Sequence, residues 1–236
     1  MMDVGFLTVL ALGFVLGMKH ALDADHVVAI STIVSKSQSF LSSSLIGAFW
    51  GLGHTLTLFG VGLAILTLKI TISYKMALAM ELAVGLMLVF LGGIVAAGLI
   101  RDYLHLHPHQ HDGQAHLHLH THPPVEPHSH QHAIRRGYRS LAVGMVHGLA
   151  GSAALMLLVV SSIHSVVEGL GYILVFGIGS LVGMMLISML ISIPFVFSSV
   201  RFNRLNKLLT AFASLASIGL GTLLIYDIGF VKGLFL

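Results

Sequence analysis

Between Val166 and Val200 the chain carries one charged side chain, Glu168, and between Ala77 and Ile100 one more, Glu81. Apolar runs of this length constrain the fold more than any motif does. A helix needs about 20 apolar residues to cross the hydrocarbon of a bilayer. The stretches 5–34, 42–68, 76–100, 140–163, 169–199 and 208–228 each meet that length, and six spans are expected. Only 9% of the 236 residues are charged, against roughly 25% in a soluble domain. That excludes a water-soluble globule and fixes the class as an all-α, polytopic transmembrane bundle. The first run begins without a basic region and lacks a small-residue cleavage site, so it reads as a retained helix. Pro194 is expected to kink the end of the fifth span.

Three divisions follow: a membrane segment at 1–100, a polar loop at 101–139 and a second membrane segment at 140–236. Lys36, Arg101, Arg135, Arg136, Arg139, Arg201, Arg204 and Lys207 fall on one side of this topology, and Lys69, Lys75 and Lys232 on the other. Basic residues in short loops stay in the cytoplasm. The 101–139 loop is therefore expected to be cytoplasmic, in a multi-pass protein of the plasma membrane.

The chain also repeats. Gly17-Met-Lys-His-Ala-Leu22 matches Gly144-Met-Val-His-Gly-Leu149, and Trp50-Gly-Leu-Gly-His-Thr55 matches Phe176-Gly-Ile-Gly-Ser-Leu181, at offsets of 127 and 126 residues. With three spans per half, the halves must insert in opposite orientations, as in inverted-repeat transporters that bind substrate near the midplane.

The polar motifs lie in the leading spans. His20-Ala-Leu-Asp-Ala-Asp-His26 puts two imidazoles and two carboxylates into seven residues of the first run. Each ionisable group at bilayer depth costs on the order of 3 kcal/mol, so such groups persist where they pair, titrate or bind. At about 100° per residue, His20, Asp23 and His26 fall within one helical sector of about 120°. Asp25 does not. Either it meets another helix, with Lys19 as a route, or the helix is irregular around residues 18–26, where unwound backbone can line a cavity. His54 sits mid-membrane behind two glycines as a further imidazole ligand. His147, the repeat mate of His20, either faces the site from the other half or is an orphan of the duplication. The candidate metal residues are thus His20, Asp23, Asp25, His26, His54 and His147. Nitrogen with some oxygen suits Ni, Co, Cu or Zn. With no cysteine in the chain, thiolate ligands and disulfides are excluded. Glu81 is read as an interfacial residue rather than a proton carrier, and His164 and Glu168 as solvated boundary residues.

Residues 105–132 hold eleven of the sixteen histidines in a biased segment expected to lack regular structure without metal. Such tracts bind transition metals with pH-dependent affinity. The segment is expected to buffer, sense or hand over metal at the membrane face.

On Lys19-His-Ala-Leu-Asp-Ala-Asp-His26 the chain resembles the nickel/cobalt transporter family (NiCoT), whose signature is Arg-His-Ala-x-Asp-Ala-Asp-His, with Lys here for Arg. The family's second motif, Phe-x-x-Gly-His-Ser/Thr, is matched by the Gly53-His54-Thr55 core. The resemblance ties His20, Asp25, His26 and His54 to metal recognition. Family members usually carry eight spans and two acidic motifs. Here Gly148-Leu-Ala-Gly-Ser-Ala-Ala154 and Gly183-Met-Met-Leu-Ile-Ser188 stand in those places without acids, so the chain is similar to the short, six-span urease-accessory-type members. The expected function is transport of divalent nickel or cobalt by a secondary transporter, with uptake as the direction the family implies. Efflux, or a membrane-bound sensor or storage protein acting through the His-rich loop, is the alternative. No nucleotide-binding loop is present, and His-Glu-x-x-His, the mark of a metalloprotease, is missing. No enzyme activity and no cofactor are expected; the metal is substrate. The expected partners are the ion, the lipid bilayer and a cytoplasmic nickel chaperone, with no nucleic acid.

Overall fold

The computed structural model describes residues 4–37, 39–103, 106–111, 114–119, 137–150 and 165–236. The long apolar runs form helices: α1 (Val4–His20), α2 (Ala24–Val34), α3 (Phe40–Leu68), α4 (Tyr74–Tyr103), α5 (137–150), α6 (Val166–Arg201) and α7 (Asn203–Tyr226). A π-helical turn, Asp227–Val231, closes α7. Four helices are long and apolar enough to cross a bilayer: α3, α4, α6 and α7 with its closing turn. The pair α1 and α2 makes a fifth span if the two helices, bent by 55° at their junction, count as one. The chain is a polytopic helical membrane protein. Of the expected span 140–163, only the part to residue 150 is described, and 151–164, with His164, lies outside the described residues. Helix α6 runs to Arg201 with Pro194 inside its last turns.

The irregularity expected near 18–26 falls at Ala21–Asp23. The last α-type bond of α1 is stretched, from the Ala21 N–H to the Gly17 carbonyl at 3.4 Å, and two tighter bonds follow, Leu22 to Lys19 and Asp23 to His20. Asp23 then takes extended angles (φ −60°, ψ 145°) as the N-cap of α2. Aspartate is a favoured N-cap because its oxygen can accept an orphan amide hydrogen. Here the side chain makes no capping bond; it is engaged elsewhere. Helix α3 shows ordinary ends: Ser39 Oγ accepts from the Ser42 N–H at 3.2 Å, and Lys69 turns the chain in the left-handed region at φ 53°.

Glycine contacts set the packing, since close backbone approach between membrane helices needs small residues. A Cβ on Gly17 of α1 would strike the Phe176 carbonyl of α6. A Cβ on Gly144 of α5 would strike the Trp50 carbonyl of α3. Gly179 presses on Phe14 as Gly53 does on Leu141, and Gly183 on Ala21 as Gly148 does on Thr57. Each pair joins residues that the sequence offsets of 126 and 127 relate. The helices shared by both halves meet reciprocally: Gly51 touches Leu181 and Gly177 touches Thr55. Between α4 and α7, Gly85 meets Ile225 and Gly221 meets Val89, at a spacing of 136. The order of these contacts runs α1 parallel to α6, α5 parallel to α3, and α3 antiparallel to α6. Helices α1 and α5 therefore run in opposite directions.

The two ends of the bundle differ in charge. The Phe40 and Phe197 rings lie 6.5 Å apart, and Lys36 reaches Gly98, so Lys36, Arg101, Arg201, Arg204 and Lys207 share one end. At the other end Lys232 Nζ donates to Glu81 at 3.1 Å and pairs with Asp227 at 3.3 Å. Glu81 is thus an ion-pair partner of Lys232. The Glu81 contact, with Asp227 beside it, raises the Lys232 pKa against a smaller opposing effect of burial. Within the His-rich segment, Leu106–His111 and Gln114–Leu119 pair as an antiparallel ribbon, with His107 opposite His118 and His109 opposite His116. Regular structure was not expected there. The alternation of histidine with other residues has a period of two, which is the strand period. The remainder of 105–132 lies outside the described residues.

Candidate metal centre

The break between α1 and α2 gathers the polar motif. His20 ends α1, and Asp25 and His26 open α2. His54 comes from the middle of α3, where the flanking glycines allow α5 and α6 to close in. His147 comes from α5. His26, His54 and His147 are each 1% exposed or less, far from what unpaired imidazoles tolerate.

Carboxylates hold three of the four imidazoles. An ionised carboxylate only accepts hydrogen bonds, so the facing ring nitrogen must donate. His20 Nδ1 donates to Asp23 Oδ2 at 2.7 Å. His147 Nε2 donates to Asp25 Oδ2 at 2.8 Å. His26 Nδ1 lies 3.2 Å from Asp25 Oδ1, which also accepts the His26 N–H at 3.0 Å. Each donated hydrogen leaves the opposite nitrogen of that neutral ring with its lone pair. His26 Nε2 and His147 Nδ1 are buried with no hydrogen-bond partner among the described residues, and so are both nitrogens of His54. Orienting a histidine through a carboxylate on its far nitrogen is the usual second layer of a metal site.

The side chains converge in two groups. Ligand atoms of His20, His26 and His54 lie within 4.8 Å of one another, and so do those of Asp25, His26 and His147. Ring centroids agree: His20–His26 is 4.6 Å, His20–His54 is 5.2 Å, His26–His54 is 5.4 Å and His26–His147 is 4.1 Å. Imidazole with a little carboxylate and no thiolate suits borderline divalent ions such as Ni(II), Co(II), Cu(II) and Zn(II), and suits the hard, oxygen-seeking Mg(II) or Ca(II) poorly.

Not every expected residue stands where the helical wheel puts it. Asp23 is 54% exposed and belongs to neither group. The wheel placed it between His20 and His26, but residues 21–23 are not helical, so it turns outward and anchors His20 instead. Asp25 reaches another helix, as one alternative required, and its partner is His147 rather than Lys19, which is exposed. His147 is brought to the site from α5.

Two aromatic walls escaped the sequence reading as site residues. The Trp50 ring stacks on His26 at 6.0 Å and an interplanar angle of 12°, with its indole N–H unpartnered among the described residues. Phe176 lies 5.5 Å from His20, and Trp50 lies 5.6 Å from His147. These are the same contact made twice, because both the rings and the histidines are repeat mates. The match between Trp50 and Phe176 in the sequence was the available signal.

Buried nitrogen donors gathered at a break between two helices of a membrane protein have the chemistry to hold a small divalent cation. Comparison with known proteins narrows the class. Residues 6–229 match the family described as high-affinity nickel-transport protein (NicO), and the chain belongs to that family. It is 40% identical over 233 residues to the urease accessory protein UreH of Bacillus sp. (strain TB-90), covering 99% of this chain and 97% of that protein. It is 28% identical over 221 residues to the chloroplast protein FOR GROWTH AND FERTILITY 1 of Arabidopsis thaliana, covering 92% of this chain and 58% of that protein. No solved structure matches it.

Proposed function

We propose that this protein is a secondary transporter that takes up Ni(II), with Co(II) as a second substrate, through the His/Asp centre at the α1–α2 break. The observation that carries the reading is the set of buried, unpartnered nitrogens on His26 and His54 beside His20. Lone pairs kept from water and from protein donors are stabilised by a cation that sheds part of its hydration as it arrives. Asp23 and Asp25 orient the rings before the ion comes, so less ordering is left to binding.

The matched glycine contacts support two inverted halves, 1–100 and 140–236, and rocking of one against the other would open the centre to each side in turn. The basic end of the bundle is the cytoplasmic one on this reading, in the plasma membrane, and the His-rich segment 101–139 lies there to receive the ion and pass it to a soluble nickel carrier. Uptake is assigned on the family description and on likeness to a urease accessory protein.

The test is radioactive nickel flux into proteoliposomes of the full chain. The wild type accumulates nickel with time, beyond one ion per protein. His26→Ala lowers the rate by at least about tenfold, the scale on which metal sites respond to lost ligands and their supports, while still inserting. Wild-type flux in that variant, or binding without time-dependent accumulation in the wild type, refutes transport through this centre.

A further inference from the structure

The five inner side chains do not gather around one point. They form two groups of three that share His26, and the rings of His54 and His147, which belong to different groups, lie 6.3 Å apart, against 4.1 Å for His26 and His147. We infer that the centre is two overlapping cation positions used in turn: a tri-imidazole position of His20, His26 and His54, and a mixed position of Asp25, His26 and His147. The inference rests on the transport reading above and adds a second site to it.

The two positions differ in chemistry and in what builds them. The first is made wholly by α1, α2 and α3, and offers neutral nitrogen. The second adds a carboxylate and draws on α5, which packs along α3 but belongs to the later part of the chain. In the first position both nitrogens of His54, and Nε2 of His26, have no partner among the described residues. In the second, Asp25 joins His26 Nδ1 through one oxygen and His147 Nε2 through the other, and His147 Nδ1 has no partner among the described residues. A divalent ion can thus settle first among the open imidazoles. It moves on by exchanging its bonds to His20 and His54 for bonds to Asp25 and His147; as His147 Nε2 turns from Asp25 to the ion, its hydrogen passes to the unpartnered Nδ1, so the ring stays neutral and no proton is lost. His26 stays within reach throughout. Two dications on either side of one imidazole repel strongly, so occupation alternates. Entering the second position breaks the His147–Asp25 hydrogen bond, so it is the shallower of the two and is occupied in passing, with the carboxylate partly neutralising the ion there.

Trp50 is the chain's one tryptophan and stacks on the shared His26, so its fluorescence reports metal binding directly. The experiment titrates Ni(II) into the detergent-purified full chain, reads Trp50 quenching, and pairs this with nickel flux in proteoliposomes. His54→Ala is expected to weaken binding at least tenfold. His147→Ala is expected to bind within threefold of the wild type yet lose at least tenfold in flux. His147→Gln keeps an N–H donor for Asp25 but offers no imidazole nitrogen, and it is expected to lose flux equally. Three results overturn the inference. These are equal weakening of binding by His54→Ala and His147→Ala, which means a single shared site; flux restored by His147→Gln, which means that His147 only supports Asp25; and wild-type flux in His147→Ala. A wild type that carries no nickel fails the transport reading itself and takes this inference with it. Wild-type flux with any of the three overturning results removes the second position alone.

Discussion

The stretch around His20 and the one around His147 pack alike and differ in chemistry. Gly17 and Gly144 press on matching carbonyls, and His20 and His147 lie at 5.5 and 5.6 Å from matching aromatic rings. Beyond the histidine the likeness stops. Where the first stretch continues to Asp23, Asp25 and His26, the positions 127 residues on are Ala150, Ser152 and Ala153, and the mate of His54 is Ser180. Small residues at helix crossings keep the scaffold alike in both halves, because a side chain there has nowhere to go. The donors sit beside those crossings and are free to differ. One half therefore supplies most of the centre, and among the described residues the other contributes His147, bonded to Asp25, and the Phe176 ring beside His20. A rocking motion of the halves would be felt by the ion at that bond.

The comparison can be broken at its mates. His54→Ala should lower nickel flux at least about tenfold, whereas Ser180→Ala, at the matching place in α6, should stay within about twofold, since a neutral hydroxyl is a weak ligand for a borderline cation. Equal losses in the flux assay would show that both halves ligate the ion. Asp23→Ala should cost about tenfold in apparent nickel affinity by releasing His20, as loss of an outer-layer partner does, and Asp23→Asn should recover part of it because its amide oxygen still accepts from Nδ1. No recovery would mean that the charge, and not the bond, is what His20 needs.

Packing offers a sharper version. Gly17→Ala and Gly144→Ala each force a methyl group onto a carbonyl, and overpacking of this kind costs about 1–3 kcal/mol. Thermal melts in detergent should show similar losses for the two, even though one lies in the donor-rich stretch and the other does not. Unequal losses would mean that the matched contacts are not equivalent in energy.

The smallest effect is expected at the far end of the bundle. Lys232→Ala should lower stability by less than about 1 kcal/mol, because exposed pairs are screened by water and salt. Glu81 raises the Lys232 pKa, so the pair's contribution is complete below the ordinary lysine range and fades only as pH rises through the raised value. Melting temperatures of wild type and variant should then keep a constant difference between about pH 6 and pH 9, where a lysine of ordinary pKa or higher stays charged.

Much of this was legible in the residues. The apolar runs required membrane helices, and helices formed. The motif at 19–26 carried a resemblance to nickel/cobalt transporters, and the family match agrees with it. Asp25 fell off the face shared by His20 and His26, which left an irregular helix as one of two explanations, and the helix breaks at Ala21–Asp23. What went astray did so where a single-helix rule was applied across that break. Asp23 was assigned to the face of His20 and His26, and it turned outward because residues 21–23 leave the helical path. The ribbon of 106–111 and 114–119 was hidden by composition, which says nothing about strand pairing.

The sequence by itself determined the membrane class, the broken leading span and the kinds of donor atom, because each of these is a local property: length, charge and spacing along one segment. Only the tertiary structure decided which atoms meet. That Asp25 reaches His147, 122 residues away, that Trp50 covers His26, and that the donors fall into two groups around one imidazole all depend on how closely α3, α5 and α6 approach. Glycines set that distance from positions remote in the chain, and no periodicity within a single helix records it.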